Sequence, residues 1–193
     1  AAGEGRRLRP LTERWPKPIL PIDGKPVIAT LLRELAGAGL APVTIVVGHL
    51  GDQVRSMLTG LDVRFAEQPE PLGSADAVRA AITTGAHAPV VVSVADTVYA
   101  PGDMRRFVDA WEQSGAAGAL APPLWGVGPQ LVEHLEGLPG PPYELRVAFE
   151  CAVEDGLKLA RVELGPTRTL TEPADLVQEN FVYLEEGSDE RDV

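Results

Sequence analysis

Two short runs rich in β-branched residues, Val43-Thr-Ile-Val-Val47 and Val90-Val-Val-Ser-Val94, constrain the fold of this chain more than any other feature. Continuous apolar runs of this length suit strands covered on both faces, as in parallel sheets. Helical patterns surround them. Val27, Ile28, Leu31, Leu32 and Leu35 form one stripe at helical spacing, closed by Gly37-Ala-Gly39. Gly51–Leu58 and Ser74–Ile82 read as helices between the two runs, and Met104–Gln113 as a helix beyond them. Ala116–Leu120 is a short apolar stretch, Pro142–Asp155 a helix, Leu159–Leu164 a strand, and Pro173–Phe181 a last helix with proline near its start. Strands alternating with helices predict an α/β domain, a single Rossmann-like, mostly parallel sheet sandwiched by helices. In that class ligands sit outside the carboxyl ends of strands. Residues just after Val47 and Val94, and the first glycine-rich loop, should therefore line the site.

A length of 193 residues fits one such domain, residues 1–184, followed by an acidic tail, residues 185–193. The formal net charge of -11 speaks against a nucleic-acid binder, which needs a basic face. That sum hides an asymmetry. Residues 1–33 hold seven Arg or Lys against three acids, a local +4. One cysteine, Cys151, cannot form an internal disulfide, so a reducing cytoplasm is the expected compartment, and the thiol reads as a small buried hydrophobe. No apolar run is long enough to span a bilayer, and the first residues lack a signal-peptide core.

The basic head carries the chemistry. It reads Ala1-Ala-Gly-Glu-Gly-Arg-Arg-Leu-Arg-Pro-Leu-Thr12, then Trp15-Pro-Lys-Pro18, then Pro21-Ile-Asp-Gly-Lys-Pro26. Two glycines let a backbone bend sharply and aim N–H groups at an anion. Clustered arginines and a lysine between two prolines add fixed positive charge, so the loop suits a polyphosphate. Gly-Lys-Ser/Thr is absent, which excludes a P-loop. A dinucleotide loop needs a third glycine where this chain has Leu8. The three histidines, 49, 87 and 134, show no metal spacing, and no nucleophile–base arrangement can be traced.

Taken together, these residues resemble the sugar-phosphate nucleotidylyltransferase family, enzymes that join an NTP to a sugar 1-phosphate and release pyrophosphate. The family pattern runs Leu-Ala-Ala-Gly-x-Gly-Thr-Arg-Leu-x-Pro-Leu-Thr, then Pro-Lys-Pro, then Gly-Lys-Pro. This chain matches it except for the leading Leu and for Arg6 in the Thr place. The resemblance continues at Gln68-Pro-Glu-Pro-Leu-Gly-Ser-Ala75 and at Val94-Ala-Asp-Thr97. It implies the nucleotide-diphospho-sugar transferase type of fold and a role for each matched residue. Ala2, Gly3 and Gly5 would cradle the triphosphate, Arg7 would neutralise its β- and γ-phosphates, and Lys17 would hold the sugar phosphate. Gln68, with one acceptor and two donors, would read a base edge in both directions. Gly73 and Ser74 would lie against base and ribose, and Asp96 would bind Mg²⁺. The implied substrates are dTTP or UTP and a sugar 1-phosphate, with neither nucleic acid nor membrane as partner; an oligomer is compatible with the sequence.

The pattern also breaks in places. A second metal-binding Asp is expected where this chain has Thr169, and Asp175 sits where the first turn of a helix would hold it. Glu144 is either a sugar contact or a helix-start acid. Family members carry an apolar strand directly before the glycine loop, and more chain where this one passes through Ala121-Pro-Pro-Leu124. The resemblance therefore predicts missing segments before Ala1 and near Ala121. Two alternatives stand beside the transferase: a catalytically silent, nucleotide-sugar-binding regulatory domain of the same fold, and transfer to another phosphate acceptor such as phosphocholine.

Overall fold

A computed structural model describes residues 2–181 of the chain. Ala1 and the acidic tail lie outside the described residues. After the basic loop, β1 (Pro21–Ile22) and β2 (Lys25–Pro26) form a two-residue hairpin about Asp23 and Gly24. Both turn residues have φ above 50° (51° and 67°), as a type I′ turn requires. Then come α1 (Val27–Gly37), β3 (Val43–Val47), α2 (Gly51–Met57), β4 (Val63–Glu67), α3 (Ser74–Thr83) and β5 (Val90–Ser93). The second half holds β6 (Thr97–Val98), α4 (Asp103–Ser114), β7 (Gly118–Ala121), β8 (Leu124–Val127), α5 (Pro129–Val132) and α6 (Leu145–Glu154). It closes with β9 (Leu159–Arg161), β10 (Arg168–Thr169) and α7 (Pro173–Gln178).

The α/β layering is as expected, and the ladders are mixed. β3 pairs with β4 in parallel, from Val43↔Val63 to Val47↔Glu67. A four-stranded sheet has the order β5-β8-β7-β9, antiparallel at β5–β8 and β7–β8 and parallel at β7–β9. β10 pairs antiparallel with β6. Helices cover both faces. On one, Leu31 and Leu35 of α1 and Met104, Phe107 and Trp111 of α4 pack on Ala119, Ala121 and Leu124. On the other, Ala75 and Val78 of α3 meet Leu145, Ala148, Phe149 and Ala152 of α6 over Val127. The alternation along β7, with Ala119 and Ala121 on one face and Leu120 on the other, is the period of two that a strand imposes.

Three expectations need correction. Near Ala121 there is no break: Ala121 pairs with Leu124, and Pro122-Pro123 closes a two-residue hairpin between β7 and β8. The helix expected from Pro142 starts at Leu145, because Glu144 is extended (φ -91°, ψ 132°) and Tyr143 is hydrogen-bonded to Leu72 and Ala75 instead. The two β-branched runs are not covered on all sides. No residue of β5 is buried, and in β3 only Ile45 and Val47 are. One edge of each strand is unpaired among the described residues, and both strands line a single cavity of about 1350 Å³. α1 and α3 contribute Leu31, Leu32, Ala77 and Ala81 to its apolar walls. Ala2 stands at the carboxyl end of β3: a Cβ built on Gly48 would lie 3.1 Å from that of Ala2.

Candidate active site

The polar mouth of this cavity is built from the glycine loop, which starts beside the carboxyl end of β3, the Lys17 turn, and the segments that follow β4 and β5. Ala2, Gly3, Gly5, Arg7, Lys17, Gln68, Gly73, Ser74 and Asp96 all line it. Loops in this position carry function because a rigid scaffold fixes their ends and leaves their polar groups free.

The glycine loop owes its shape to local sterics. Gly5 has φ 62° and ψ 38°, and a Cβ there would sit 2.8 Å from Cγ2 of Thr12. Both facts demand glycine. Its carbonyl accepts from the Thr12 hydroxyl (2.9 Å) and from the Leu8 N–H (2.9 Å), which closes the 3₁₀ turn Arg6–Leu8. Leu8, 1% exposed, anchors that turn in a small core with Leu20, Ile22, Val27 and Leu170. Nothing lies within 4 Å of the position a Cβ of Gly3 would take, so the backbone there is open to a ligand. His49 faces the Thr12 carbonyl at 3.2 Å and ties the loop to the end of β3.

The loop arginines divide in two. Arg6 is held by Glu4 at 2.8 Å, and Arg9 approaches the same carboxylate at 3.6 Å. The Arg6 hydrogen bond and charge hold the Glu4 carboxyl below its usual range. Arg7 is exposed on the cavity wall and makes no ion pair among the described residues. Its guanidinium is the loop cation left for an anionic ligand.

Lys17, in a 3₁₀ turn that starts between two prolines, reaches across the mouth and pairs with the Asp96 carboxylate. Its ammonium also donates to the Thr169 hydroxyl (3.3 Å), which itself donates to the Asp96 carbonyl (2.8 Å). Thr169 is thus a polar bolt beside Asp96. Asp175 is spent elsewhere. Its carboxylate accepts from the N–H groups of Glu172 (2.9 Å) and Thr171, completing a capping box on α7. Those bonds, Glu172 first, lower its pKa.

Gln68 is 6% exposed at the end of β4. Its amide nitrogen donates to the Gly73 carbonyl (2.9 Å) and to an oxygen of Asp76 (2.8 Å). Both N–H groups are therefore used within the protein, and the expected two-way reading of a base edge is not available to it. Asp76 carried no signal of its own in the sequence, because an acid in the first turn of a helix is explained by the helix dipole. Gly73 has φ 114°, and a Cβ there would lie 2.6 Å from the Tyr143 nitrogen, so the turn tolerates only glycine. The Ser74 hydroxyl donates to Glu144 (2.7 Å) and accepts from the Leu145 N–H (2.8 Å). Ser74 lines the cavity, but its hydroxyl fastens α3 to α6. Glu144 serves in that clasp at the start of α6.

Asp96, in a cavity wall, supplies one carboxylate, and Thr169 has its hydroxyl proton engaged. Among the described residues no group of three or more His, Cys, Asp or Glu could enclose a metal ion. Mg²⁺ is ordinarily held by one or two carboxylates and completed by phosphate oxygens and water. This donor set fits an ion that arrives with a polyphosphate. No helix among the described residues is long and apolar enough to cross a membrane.

Comparison with known proteins accords with this geometry. Over residues 1–140 the chain matches the family of the MobA-like NTP transferase domain. It is 40% identical over 75 residues to CMP-5'-(3-aminopropyl)phosphonate synthase of Streptomyces rubellomurinus, covering 37% of this chain and 12% of that protein. It is 42% identical over 76 residues to N-acetylmuramate alpha-1-phosphate uridylyltransferase of Neisseria meningitidis, covering 38% and 33%. The similarity to the bifunctional protein GlmU of Burkholderia multivorans is longer, 31% over 177 residues, covering 86% of this chain and 36% of that protein. The matched stretches thus span well under half of each relative. A solved structure named for a glucose-1-phosphate thymidylyltransferase of Bacillus anthracis superposes with a TM-score of 0.77 over 94% of this chain and 92% of the other, at 17% identity, and so shares the fold. The family match over residues 1–140 spans well over half of the chain, and the chain belongs to the MobA-like NTP transferase domain family.

Proposed function

We propose that this domain transfers a nucleotidyl group from an NTP, UTP or dTTP, to a sugar 1-phosphate, forming an NDP-sugar and releasing pyrophosphate. One observation carries the reading: a single cavity gathers the open glycine backbone, the exposed Arg7, the Lys17–Asp96 pair and Gln68. The Neisseria relative named for uridylyl transfer supports UTP, and a glucose-1-phosphate thymidylyltransferase of Streptomyces antibioticus, 38% identical over 88 residues, supports dTTP.

An oxygen of the sugar phosphate attacks the α-phosphorus in line. The bond from that phosphorus to the bridging oxygen of the β-phosphate breaks, and pyrophosphate leaves on the opposite side. A phosphate monoester is already ionised, so no general base is required. The obstacle is bringing two anions together, and the protein's part is positioning and charge neutralisation. The N–H groups around Gly3 and Gly5 cradle the triphosphate, and Arg7 neutralises the departing pyrophosphate. Lys17 holds the sugar phosphate beside the α-phosphorus. Mg²⁺ would be held by Asp96 and phosphate oxygens, and when bound it withdraws charge from the triphosphate.

Thr169 favours a second reading, a silent nucleotide-sugar-binding domain, because a neutral hydroxyl is a poorer cation ligand than the carboxylate expected there. A pyrophosphate-release panel separates the two, crossing UTP, dTTP, CTP, ATP and GTP with several sugar 1-phosphates in Mg²⁺. Release that needs both substrates, and falls at least about a hundredfold in Asp96→Asn without loss of fold, is the expected result. Nucleotide binding with no release from any pair would leave the silent domain standing.

A further inference from the structure

We propose that His49 and Gln53 are positioning residues, a two-point clamp from the β3–α2 turn that presets the glycine loop for a polyphosphate. The inference rests on the reading of that loop as the triphosphate site.

The clamp grips two carbonyls of the basic head. Nε2 of His49 faces the Thr12 carbonyl at 3.2 Å, and the Gln53 amide nitrogen donates to the Arg14 carbonyl at 2.9 Å. A carbonyl only accepts, so Nε2 of His49 carries a proton. The base of the clamp is firm. Val54 and Leu58, both buried, seat α2 on Ile28, Ile45 and Val47. The turn before α2 is closely specified too. The Gly51 N–H donates to the Gly48 carbonyl at 2.9 Å, and a Cβ on Gly48 would lie 2.7 Å from the Gln68 carbonyl oxygen. Leu50 takes φ 53° and ψ 29°, a left-handed backbone that a leucine holds only where its surroundings impose it. Strain of this kind, beside a side chain that grips a binding loop, marks a turn built to aim that side chain.

From Thr12 the constraint passes to the loop. Thr12 is 2% exposed, and its hydroxyl donates to the Gly5 carbonyl, which also accepts from the Leu8 N–H. The Gly5–Arg6 peptide is trans and planar, so with its carbonyl held there the Arg6 N–H points the opposite way, away from Thr12. The N–H groups of Gly3, Gly5, Arg6 and Arg7 donate to no backbone carbonyl among the described residues. They are donors set in place before an anion arrives. A ligand that meets preset donors does not have to order the loop, so loss of the clamp should weaken nucleotide binding.

The test joins calorimetric binding of UTP with Mg²⁺, steady-state kinetics and limited trypsin digestion. It uses the wild-type chain, His49→Ala, Gln53→Ala, the double variant and His49→Gln. The double variant should bind UTP at least about tenfold more weakly, the combined effect of two lost hydrogen bonds. Its KM for the sugar 1-phosphate should stay within about twofold of wild type, because Lys17 is not held by the clamp. His49→Gln keeps a donor and should return UTP affinity to within about threefold of wild type. Trypsin should cut after Arg7 and Arg14 at least about fivefold faster in the double variant, and UTP should slow the cutting. Equal weakening of both substrates, or no recovery in His49→Gln, marks a general structural role and overturns the proposal while the transferase reading stands. Unchanged UTP affinity overturns it as well, whether or not cleavage speeds up. If the wild type binds no nucleotide, the reading of the loop falls and this proposal with it. Should the double variant not fold, the two single variants decide, each with an expected loss of about threefold or more in UTP affinity.

Discussion

The β3 and β5 strands and the β7–β8 hairpin invert the ordinary relation between strand propensity and burial. Nearly every residue of β3 and β5 is β-branched, yet of their nine residues only Ile45 and Val47 are buried. The hairpin, Gly-Ala-Leu-Ala and Leu-Trp-Gly-Val, has one β-branched residue, and six of its eight residues are buried. The difference lies in neighbours. Among the described residues β7 is flanked by β8 and β9, and β8 by β5 and β7, whereas β3 has only β4 and β5 only β8. Propensity records what a strand is built to pack against; burial records what is there.

Truncation should expose that contrast most strongly. Phe107 is fully buried against the hairpin face and tilted on Trp111, so Phe107→Ala should cost about 3–5 kcal/mol in chemical denaturation. Val92→Ala, on the half-exposed β5, should cost about 1 kcal/mol or less. Equal losses would mean that the cavity flank is packed as tightly as the hairpin.

Filling the cavity is the complementary experiment, with a somewhat smaller effect. Ala2 stands at the carboxyl end of β3, so an extended segment joined upstream of the loop and running parallel to β3 would lie between the two unpaired edges. A fused strand of about six Val and Ile residues should add roughly 2–3 kcal/mol and raise the unfolding midpoint by about 5–10 °C. It should also protect the amides of β3 and β5 from hydrogen exchange. The same fusion interrupted by proline should do neither, since proline removes a ladder donor. Identical behaviour of the two fusions would sink the idea that these edges await a strand.

The same contrast explains what was legible in the sequence. Long periodic segments declared themselves: α1, α3 and the core of β3 and β5 fall where spacing placed them. The residues singled out from the basic loop and from the family resemblance, Gly3, Gly5, Arg7, Lys17, Gln68 and Asp96 among them, line one cavity. β4 was hidden because Val63-Arg-Phe-Ala-Glu67 is short and mixes charges into its pattern. β8 was hidden behind two prolines and carries a glycine, packed under the Trp111 ring, that a strand interior normally avoids. Pairings distant in sequence could not be read at all. Lys17 with Asp96 and Thr169, and Ser74 with Glu144, each depend on how the folded elements meet.

Tyr99 provides the finest test of the closed side. It is 4% exposed, and its hydroxyl donates to the Pro123 carbonyl (2.9 Å) in the β7–β8 turn and shares a hydrogen bond with Ser93 (2.9 Å) at the end of β5. Burial pushes its pKa up from 10.0 to about 12, with the Ser93 bond opposing and the charge of Asp96 adding to the rise. The folded state therefore holds this proton more tightly than the unfolded chain. Its contribution to stability is full below pH 10 and is lost as pH rises through about 12. Over that window the unfolding free energy should fall with a slope approaching 1.4 kcal/mol per pH unit, a loss of roughly 2 kcal/mol. Tyr99→Phe, which removes the ionisable group, should flatten that slope while costing about 1 kcal/mol at neutral pH for the lost hydrogen bonds. Phenolate absorbance near 295 nm should show one of the three tyrosines titrating later than the others, and its loss in Tyr99→Phe identifies it. If all three titrate together near pH 10, the hairpin side is as open to water as the cavity flank, and the contrast between the two regions fails.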